Sequence, residues 1–588
     1  VTEVLAAISL AEHAVSAAMA RVLPRELAER DPLVRPSEHA DFQSNVALAL
    51  AKPAGLASRE LAQGLARELA ADGPLAVELS GPGFLNLVLA DAWIWQQVES
   101  RLADPRQRLG VGEPLTGTRF VVDYSGPNIA KEMHVGHLRT NAIGDSLARV
   151  LGFLGADVVR QNHLGDWGTN FGMLIQYLVE HPELNWRQAD PSGQVSALDA
   201  LYKTSRQAFD GDPEFAERAR LRVVALQSGE AATTAVWQEL VAVSTEAFQQ
   251  LYDRMGLLLT PQDIDAESRH NAELPDLVQE LVDAGIAVES GGASCVFFDD
   301  ITGPEGEPVP LILRKQDGGY GYAASDLATI RHRVDELGAD RILYVVDARQ
   351  AMHFRMVFAT ARRAGWLPEH VEAVHVPFGT VMGPGGTPFK TRSGDTVRLA
   401  TLLDAAVAGV REVMADKPHD LTGDELEQVV QAAGIGAVKY ADLSTSRAKN
   451  YVFDIEQIVS LQGNTGVYLQ YAHARVRAIL AKAGAAPADE LPSVDPSLPL
   501  HPAERALILL LDGLDAVLRE VAQELEPHRL CGYLFSLAKA FTEFYGACPV
   551  LKADTPALRA NRLALCRLTA ATLAQGLALL GLRAPERI

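Results

Sequence analysis

His134 and His137 stand three residues apart in "SGPNIAKEMHVGHLRT", with Gly136 between them, directly after the apolar run "RFVVDYS". Imidazoles held where a strand ends and a helix begins can donate hydrogen bonds to phosphate oxygens, and Gly136 removes the side chain that would keep a flat ligand off the backbone. Charge growing on the α-phosphorus of a nucleoside triphosphate would meet donors already in place. The pattern therefore suits an adenylylation step, with Lys131 adding a cation just upstream. Two other uses of the same residues stay open. The histidines can cap the helix and satisfy buried groups, or His163 and Asp166 of "NHLGDWG" can join them around zinc, although that spacing matches no common catalytic zinc site. The GxxxxGK[ST], GxGxxG and GxSxG motifs are absent, so phosphate-loop, dinucleotide and nucleophile-elbow chemistries have no support.

The elements that must hold these residues alternate. "RFVVDYS", "ADVVRQNHLG", "RILYVVDA" and "VEAVHVPFG" read as strands, and "HLRTNAIGDSLARVLGFLG" and "MHFRMVFATARRAGW" as amphipathic helices between them. Apolar strands alternating with helices predict a mostly parallel sheet with helices on both faces, whose ligands bind at the carboxyl ends of the strands. Residues 1–115 read as a small α+β domain, with helical periodicity over 2–30 and 58–70 and a strand, Gly-Pro-Gly turn, strand in "LAVELSGPGFLNLVL". The α/β unit spans 116–400, interrupted at about 170–310 by an insertion with helices over 196–257 and strands near "AVESGGASCVFF" and "PLILRK". Beyond residue 400 strand signals nearly vanish. A connector over 401–455 and a helical bundle over 456–588 follow, with helices expected over 424–446, 455–483, 501–525, 527–547 and 556–580.

At 588 residues the chain needs several cores, and its composition is that of a globular protein. No apolar run is long enough to span a bilayer, and the start lacks the pattern of a secretory signal. Four scattered cysteines, Cys295, Cys531, Cys548 and Cys566, imply reduced buried thiols in a cytoplasmic protein rather than a zinc knot. A net charge of −22 weakens a nucleic-acid partner without removing it, because a large acidic protein can carry a basic groove.

The extended string "SGPNIAKEMHVGH", with Asn128, Lys131 and "HLRTNAIGD", resembles the first signature of class I aminoacyl-tRNA synthetases, and of the arginyl-tRNA synthetases in particular. The likeness covers nearly the whole chain, from "DFQSNVALALA" and "SGPGFLNLVL" through "NHLGDWGTNFGML", "YAASDLATIRHR" and "YVVDARQAMHF" to "NTGVYLQYAHARV". It implies a multidomain α/β protein with a Rossmann-like catalytic core carrying an inserted domain, a small N-terminal α+β domain that touches tRNA, and an all-helical anticodon-binding bundle. It implies ATP-dependent arginylation of tRNA(Arg) through an arginyl-adenylate, with Mg²⁺ accompanying ATP, no protein-bound structural metal, no membrane, and a monomer.

By the same resemblance His134, Gly136 and His137 bind ATP, Lys131 helps neutralise the phosphates, and Asp123, Asn128 and His134 hold arginine together with Tyr322, Asp326 and Gln350. This agrees with the chemistry of a planar cation, which asks for a carboxylate fork and an aromatic wall. The second class signature departs from its usual form. The place of its first lysine is taken by Thr387 in "TVMGPGGTPFKTRSG", leaving Lys390 as the phosphate contact of a loop over 382–393 whose glycines 383, 385 and 386 permit closure. For tRNA, Arg447, Lys449, Tyr451, Arg475, Arg477 and Lys482 are phosphate and stacking candidates. Tyr533, Phe535, Phe541, Phe544 and Tyr545 repeat at helical spacing, which suits a core better than base stacking. Asn45 stands where the N-terminal domain would meet the tRNA corner. Two rival readings are a related nucleotidyltransferase or ligase with a non-tRNA acceptor and a non-catalytic RNA-binding protein; neither needs all of these features together.

Overall fold

The computed structural model describes residues 6–69, 73–188, 190–302, 306–316, 318–383, 385–387, 389, 397–415, 420–484 and 494–588. The expected first helix ends early, because Pro24 cannot continue it: Ala7–Val22 is followed by a single turn, Arg25–Ala28. A four-stranded antiparallel sheet comes next, its strands ordered Val34–Pro36, Phe42–Ser44, Phe84–Leu89, Leu75–Ser80. The turn between the last two uses Gly81 and Gly83 at positive φ, as the Gly-Pro-Gly string requires.

The second four-stranded sheet is wholly parallel, with strands in the order Glu372–His375, Arg341–Tyr344, Arg119–Asp123, Asp157–Gln161. Successive side chains on a strand point to opposite faces. Phe120, Val122 and Leu343 accordingly enter one core with helix Val135–Phe153, while Val121, Ile342 and Tyr344 enter a second core with helices Tyr322–Asp335 and Ala351–Arg363. Chain direction across the sheet reverses between Arg119–Asp123 and Arg341–Tyr344, where Asp123 and Tyr344 are register partners at the carboxyl edge. A crevice at such a switch point is where this architecture binds ligands.

The insertion is helical over Pro191–Gly211, Pro213–Gln227 and Ala231–Met255, then closes with a three-stranded antiparallel sheet, Val288–Ser290, Ala293–Val296, Leu311–Arg314. Among the described residues of the carboxyl-terminal third the single strand is Tyr451–Val452, which pairs in parallel with Val381–Met382. Two expected long helices are divided. Residues 455–483 become Ile455–Ile458 and Gly466–Lys482, separated where Gly463 takes positive φ and Thr465 caps the second helix by accepting from the Tyr468 N–H. Residues 501–525 break at Gly513 into Pro502–Asp512 and Leu514–Glu524. Helices His528–Ala547 and Pro556–Leu579 complete the bundle.

Buried charged side chains tie helix Val135–Phe153 to its neighbours. Buried Lys439, from helix Gly423–Leu443, donates to the Met255 carbonyl (3.0 Å) and the Gly581 carbonyl (2.7 Å) and lies 3.8 Å from Asp145. Arg139, also buried, pairs with Asp442 at 3.2 Å and donates to the Lys449 carbonyl.

Candidate active site

The turn that precedes the two histidines is strained and braced. Ser125, Gly126 and Ala130 take positive φ, which for non-glycine residues persists only when the surroundings over-determine it. The surroundings do so here: the Ser125 N–H donates to Thr140, the Gly126 N–H to Asn162 Oδ1, and the Ala130 N–H to Ser244 Oγ at 3.0 Å. Ser244 belongs to helix Ala231–Met255, so the insertion supports the signature from behind. The turn presents Asn128 to a cavity, its side-chain oxygen lying where a Cβ on Gly165 would come within 2.2 Å.

His134 is the N-cap of helix Val135–Phe153, and its Nδ1 accepts from the Gly136 N–H at 3.0 Å. The His134 N–H donates in turn to His137 Nδ1 at 3.1 Å, and the rings lie 4.2 Å apart. A backbone N–H can only donate, so both Nδ1 atoms are unprotonated and both rings are neutral Nε2–H tautomers. Burial pushes both imidazoles below their ordinary range, His137 to about 3 with His134 adding to the effect. Capping and ligand binding are therefore compatible: one nitrogen of each ring holds the helix start, and the other is a donor left for a ligand. Gly136 is needed for a closer reason than ligand access, because a Cβ there would stand 2.8 Å from the His134 ring.

One cavity gathers Asn128, Lys131 and Tyr322 with Gly165, Trp167, Tyr202 and Glu267. Tyr322 opens helix Tyr322–Asp335 and is exposed. Asp326, one turn on, accepts from His353 Nε2 at 2.6 Å. Gln350 ends the turn Ala348–Gln350 at the carboxyl edge of the sheet and is exposed. Asp123 closes its strand, is not among the residues that line this cavity, and pairs with the fully buried Arg333 at 2.9 Å, whose guanidinium also lies 3.6 Å from Asp265 and donates to Gln161. Lys390 lies outside the described residues. Before it, the Gly383 N–H donates to the Thr387 carbonyl and Phe389 packs on Phe453. After the loop, Val397 and Leu399 bond the backbone of Val135 and Met133, and Arg398 pairs with Glu132 at 2.5 Å.

Two residues escape the sequence reading. Glu267 faces the cavity, and burial, followed by the nearby Asp166 and Asp326, pushes its carboxyl up to about 8. Nothing in "DIDAESRHN" marks it, since its neighbours in space are distant in sequence. His353 sits three residues after Gln350, and that helical spacing was its one available signal. The zinc reading does not fit the contacts: His163 Nδ1 donates to the Asp265 carbonyl, and Asp166 accepts from the N–H and hydroxyl of Ser268.

Among the tRNA candidates, Arg447 turns inward, donating to the Leu525 and Pro377 carbonyls, and the Tyr451 ring lies under Arg139. Lys449, Arg477 and Lys482 are exposed, although Arg477 pairs with Glu586 at 2.5 Å, and Arg475 lies over Tyr545. Tyr533, Phe541 and Phe544 are buried in the bundle core, as helical spacing implied. Asn45 is exposed at the start of helix Val46–Leu50.

Comparison with known proteins decides the family. Residues 99–455 match the model of the class I tRNA synthetase (R) catalytic domain, 9–89 that of the arginyl-tRNA synthetase N-terminal domain, and 469–588 that of the DALR anticodon-binding domain. The chain belongs to the arginyl-tRNA synthetase family. The arginine–tRNA ligase of Frankia casuarinae is 63% identical over 587 residues, covering 99% of this chain and 98% of that one, and the arginine–tRNA ligase of Streptomyces coelicolor is 51% identical over 584, covering 99% and 98%. The crystal structure of arginyl-tRNA synthetase from Plasmodium falciparum superposes with a TM-score of 0.79 at 25% identity, covering 99% of each chain. The Thermus thermophilus arginyl-tRNA synthetase shares the fold at a TM-score of 0.79 and 24% identity, covering 99% of this chain and 100% of that one. The multidomain α/β architecture, with its Rossmann-like core, N-terminal domain and helical DALR bundle, is that of the family.

Proposed function

We infer that this synthetase joins arginine to tRNA(Arg) in two steps: ATP and arginine give arginyl-adenylate and pyrophosphate, and the terminal ribose of the tRNA then takes the arginyl group and releases AMP. The observation that carries the reading is the pair of neutral imidazoles, each holding the helix start through Nδ1 and keeping Nε2–H as a donor. The arginine carboxylate is already an anion, so the first step needs alignment and charge stabilisation more than a side-chain base. His134 and His137 donate to the phosphates, Gly136 admits the nucleotide, and Lys131 and Lys390 neutralise phosphate charge. Asp123, Asn128, His134, Tyr322, Asp326 and Gln350 surround arginine, and Glu267 joins them because it lines the cavity that Asn128 and Tyr322 also line. Mg²⁺ travels with ATP, whose phosphates supply most of its ligands.

Domain roles follow the same reading: tRNA contact by residues 1–115, chemistry by 116–400, connection by 401–455 and anticodon binding by 456–588. The synthetase acts as a cytoplasmic monomer; no described helix is long and apolar enough to cross a membrane. ATP–pyrophosphate exchange tests the function, with arginine or lysine, and with cognate, non-cognate or no tRNA. Exchange that requires arginine and is strongest with tRNA(Arg) is expected. Exchange with another acid and no tRNA requirement refutes the reading.

A further inference from the structure

Helix Pro191–Gly211 of the insertion lies across the signature turn and touches it twice. Ser196 Oγ donates to Glu132 Oε1 at 2.5 Å. Six residues on, Tyr202 sets its ring against the Lys131 ammonium, 4.3 Å from Nζ to the ring centroid, and its hydroxyl donates to Asn170 Oδ1 at 3.1 Å. Lys131 and Tyr202 line one cavity with Glu267. A lysine ammonium ends a flexible four-carbon stem and loses much rotamer freedom when fixed, whereas an aromatic face attracts a cation through its quadrupole, most strongly where water is excluded. The Tyr202 ring is itself anchored at both ends, by its helix and by Asn170. With Thr387 standing in place of the first lysine of the second signature, fewer ammonium groups meet the phosphates, and the placement of each matters more.

We propose that Tyr202 is a positioning residue for adenylate formation: its ring face holds the Lys131 ammonium toward the phosphates, with Asn170 fixing the ring. The proposal rests on the reading of Lys131 as a phosphate-neutralising group. It makes the inserted domain a supplier of active-site geometry as well as a support.

The test is ATP–pyrophosphate exchange by the full chain with tRNA(Arg). Position 202 carries Tyr, then Phe, then phenylalanine with one, two or three ring fluorines, which weaken the quadrupole at nearly constant volume; thermal unfolding of each variant checks the fold. Tyr202→Phe is expected to keep the rate within about threefold, and kcat to fall stepwise to about tenfold below that at three fluorines. Lys131→Ala lowers kcat by itself, and in that background the fluorine series is expected to be flat. A flat series in the parent, or an equal fall with Lys131→Ala present, overturns the proposal. Undiminished exchange by Lys131→Ala overturns instead the Lys131 reading beneath it.

Discussion

Arginine affinity should depend on pH through Glu267. Its carboxyl is raised to about 8, by burial first and then by Asp166 and Asp326, so in the free site it is mostly protonated at neutral pH. A guanidinium is served by the ionised form, since a carboxylate offers acceptors and charge to a donor fork. Binding must then remove the proton. The direction follows: below about 8 the free site holds a proton that the complex does not, so affinity rises with pH and levels off above 8. The dissociation constant scales as one plus the proton excess, which gives about 50-fold between pH 6 and pH 8, or about 2.3 kcal/mol. At pH 7 each arginine bound should release about 0.9 proton. Titration calorimetry in two buffers of different ionisation enthalpy measures both quantities on one sample. Glu267→Gln should bind more weakly at pH 8 and lose the pH dependence. An affinity that stays flat from pH 6 to 8 with no proton release refutes the assignment of Glu267 to the guanidinium.

Gly136→Ala separates site from fold: alanine gains about 1 kcal/mol of helix propensity, but its Cβ would stand 2.8 Å from the His134 ring. Thermal unfolding should hardly move while exchange falls at least tenfold. Lys439→Met leaves the Met255 and Gly581 carbonyls without their buried donor, while Asp145 keeps Arg149 and the Leu258 N–H, so unfolding should be easier by about 2 kcal/mol. Burial lowers Lys439 to about 8. Between pH 8 and its unfolded value of about 10.4 the unfolded chain holds more protons, so this group's contribution to stability rises with pH by up to about 1.4 kcal/mol per unit, and denaturant titrations should lose that slope in the variant. Arg447→Ala should lower stability and leave the salt dependence of tRNA binding unchanged, because its donors serve the Leu525 and Pro377 carbonyls. Lys482→Ala should do the reverse, reducing the slope of log affinity against log salt by about 0.7 to 0.9.

The parallel sheet was legible because period-2 and period-3.6 patterns differ over a few residues, whereas Asp123 and Asn128 became candidates only through the resemblance of the string around them. Breaks inside helices were less legible. Gly463 takes positive φ between two helices and Gly513 stands at the junction of two more, while a helical pattern of side chains continues past both. The division of labour within each imidazole was invisible for another reason: a residue type says that His can cap or donate, and geometry alone says that His134 and His137 do one with each nitrogen. Arg447 and Tyr451 read as RNA-facing because Arg and Tyr so often are. Their burial depends on Leu525 and Arg139, distant in sequence.

On the proposed reading, specificity for a guanidinium depends on which carboxyls already have partners within the protein. Asp123 and Asp265 share the buried Arg333, and Asp265 is held well below its usual range, its burial outweighed by His270 and that guanidinium. Asp326 accepts from His353, and Asp166 accepts from the Ser268 hydroxyl. Glu267 is left as an acid beside Tyr322 and Asn128. The fold's own buried planar cation, Arg333, serves Asp123 and Asp265, and Glu267 lies outside that pairing. Lysine brings a point charge, whereas the planar guanidinium of arginine can lie against the Tyr322 ring while presenting two parallel donors to the Glu267 carboxylate. On that reading the discrimination is geometric as much as electrostatic.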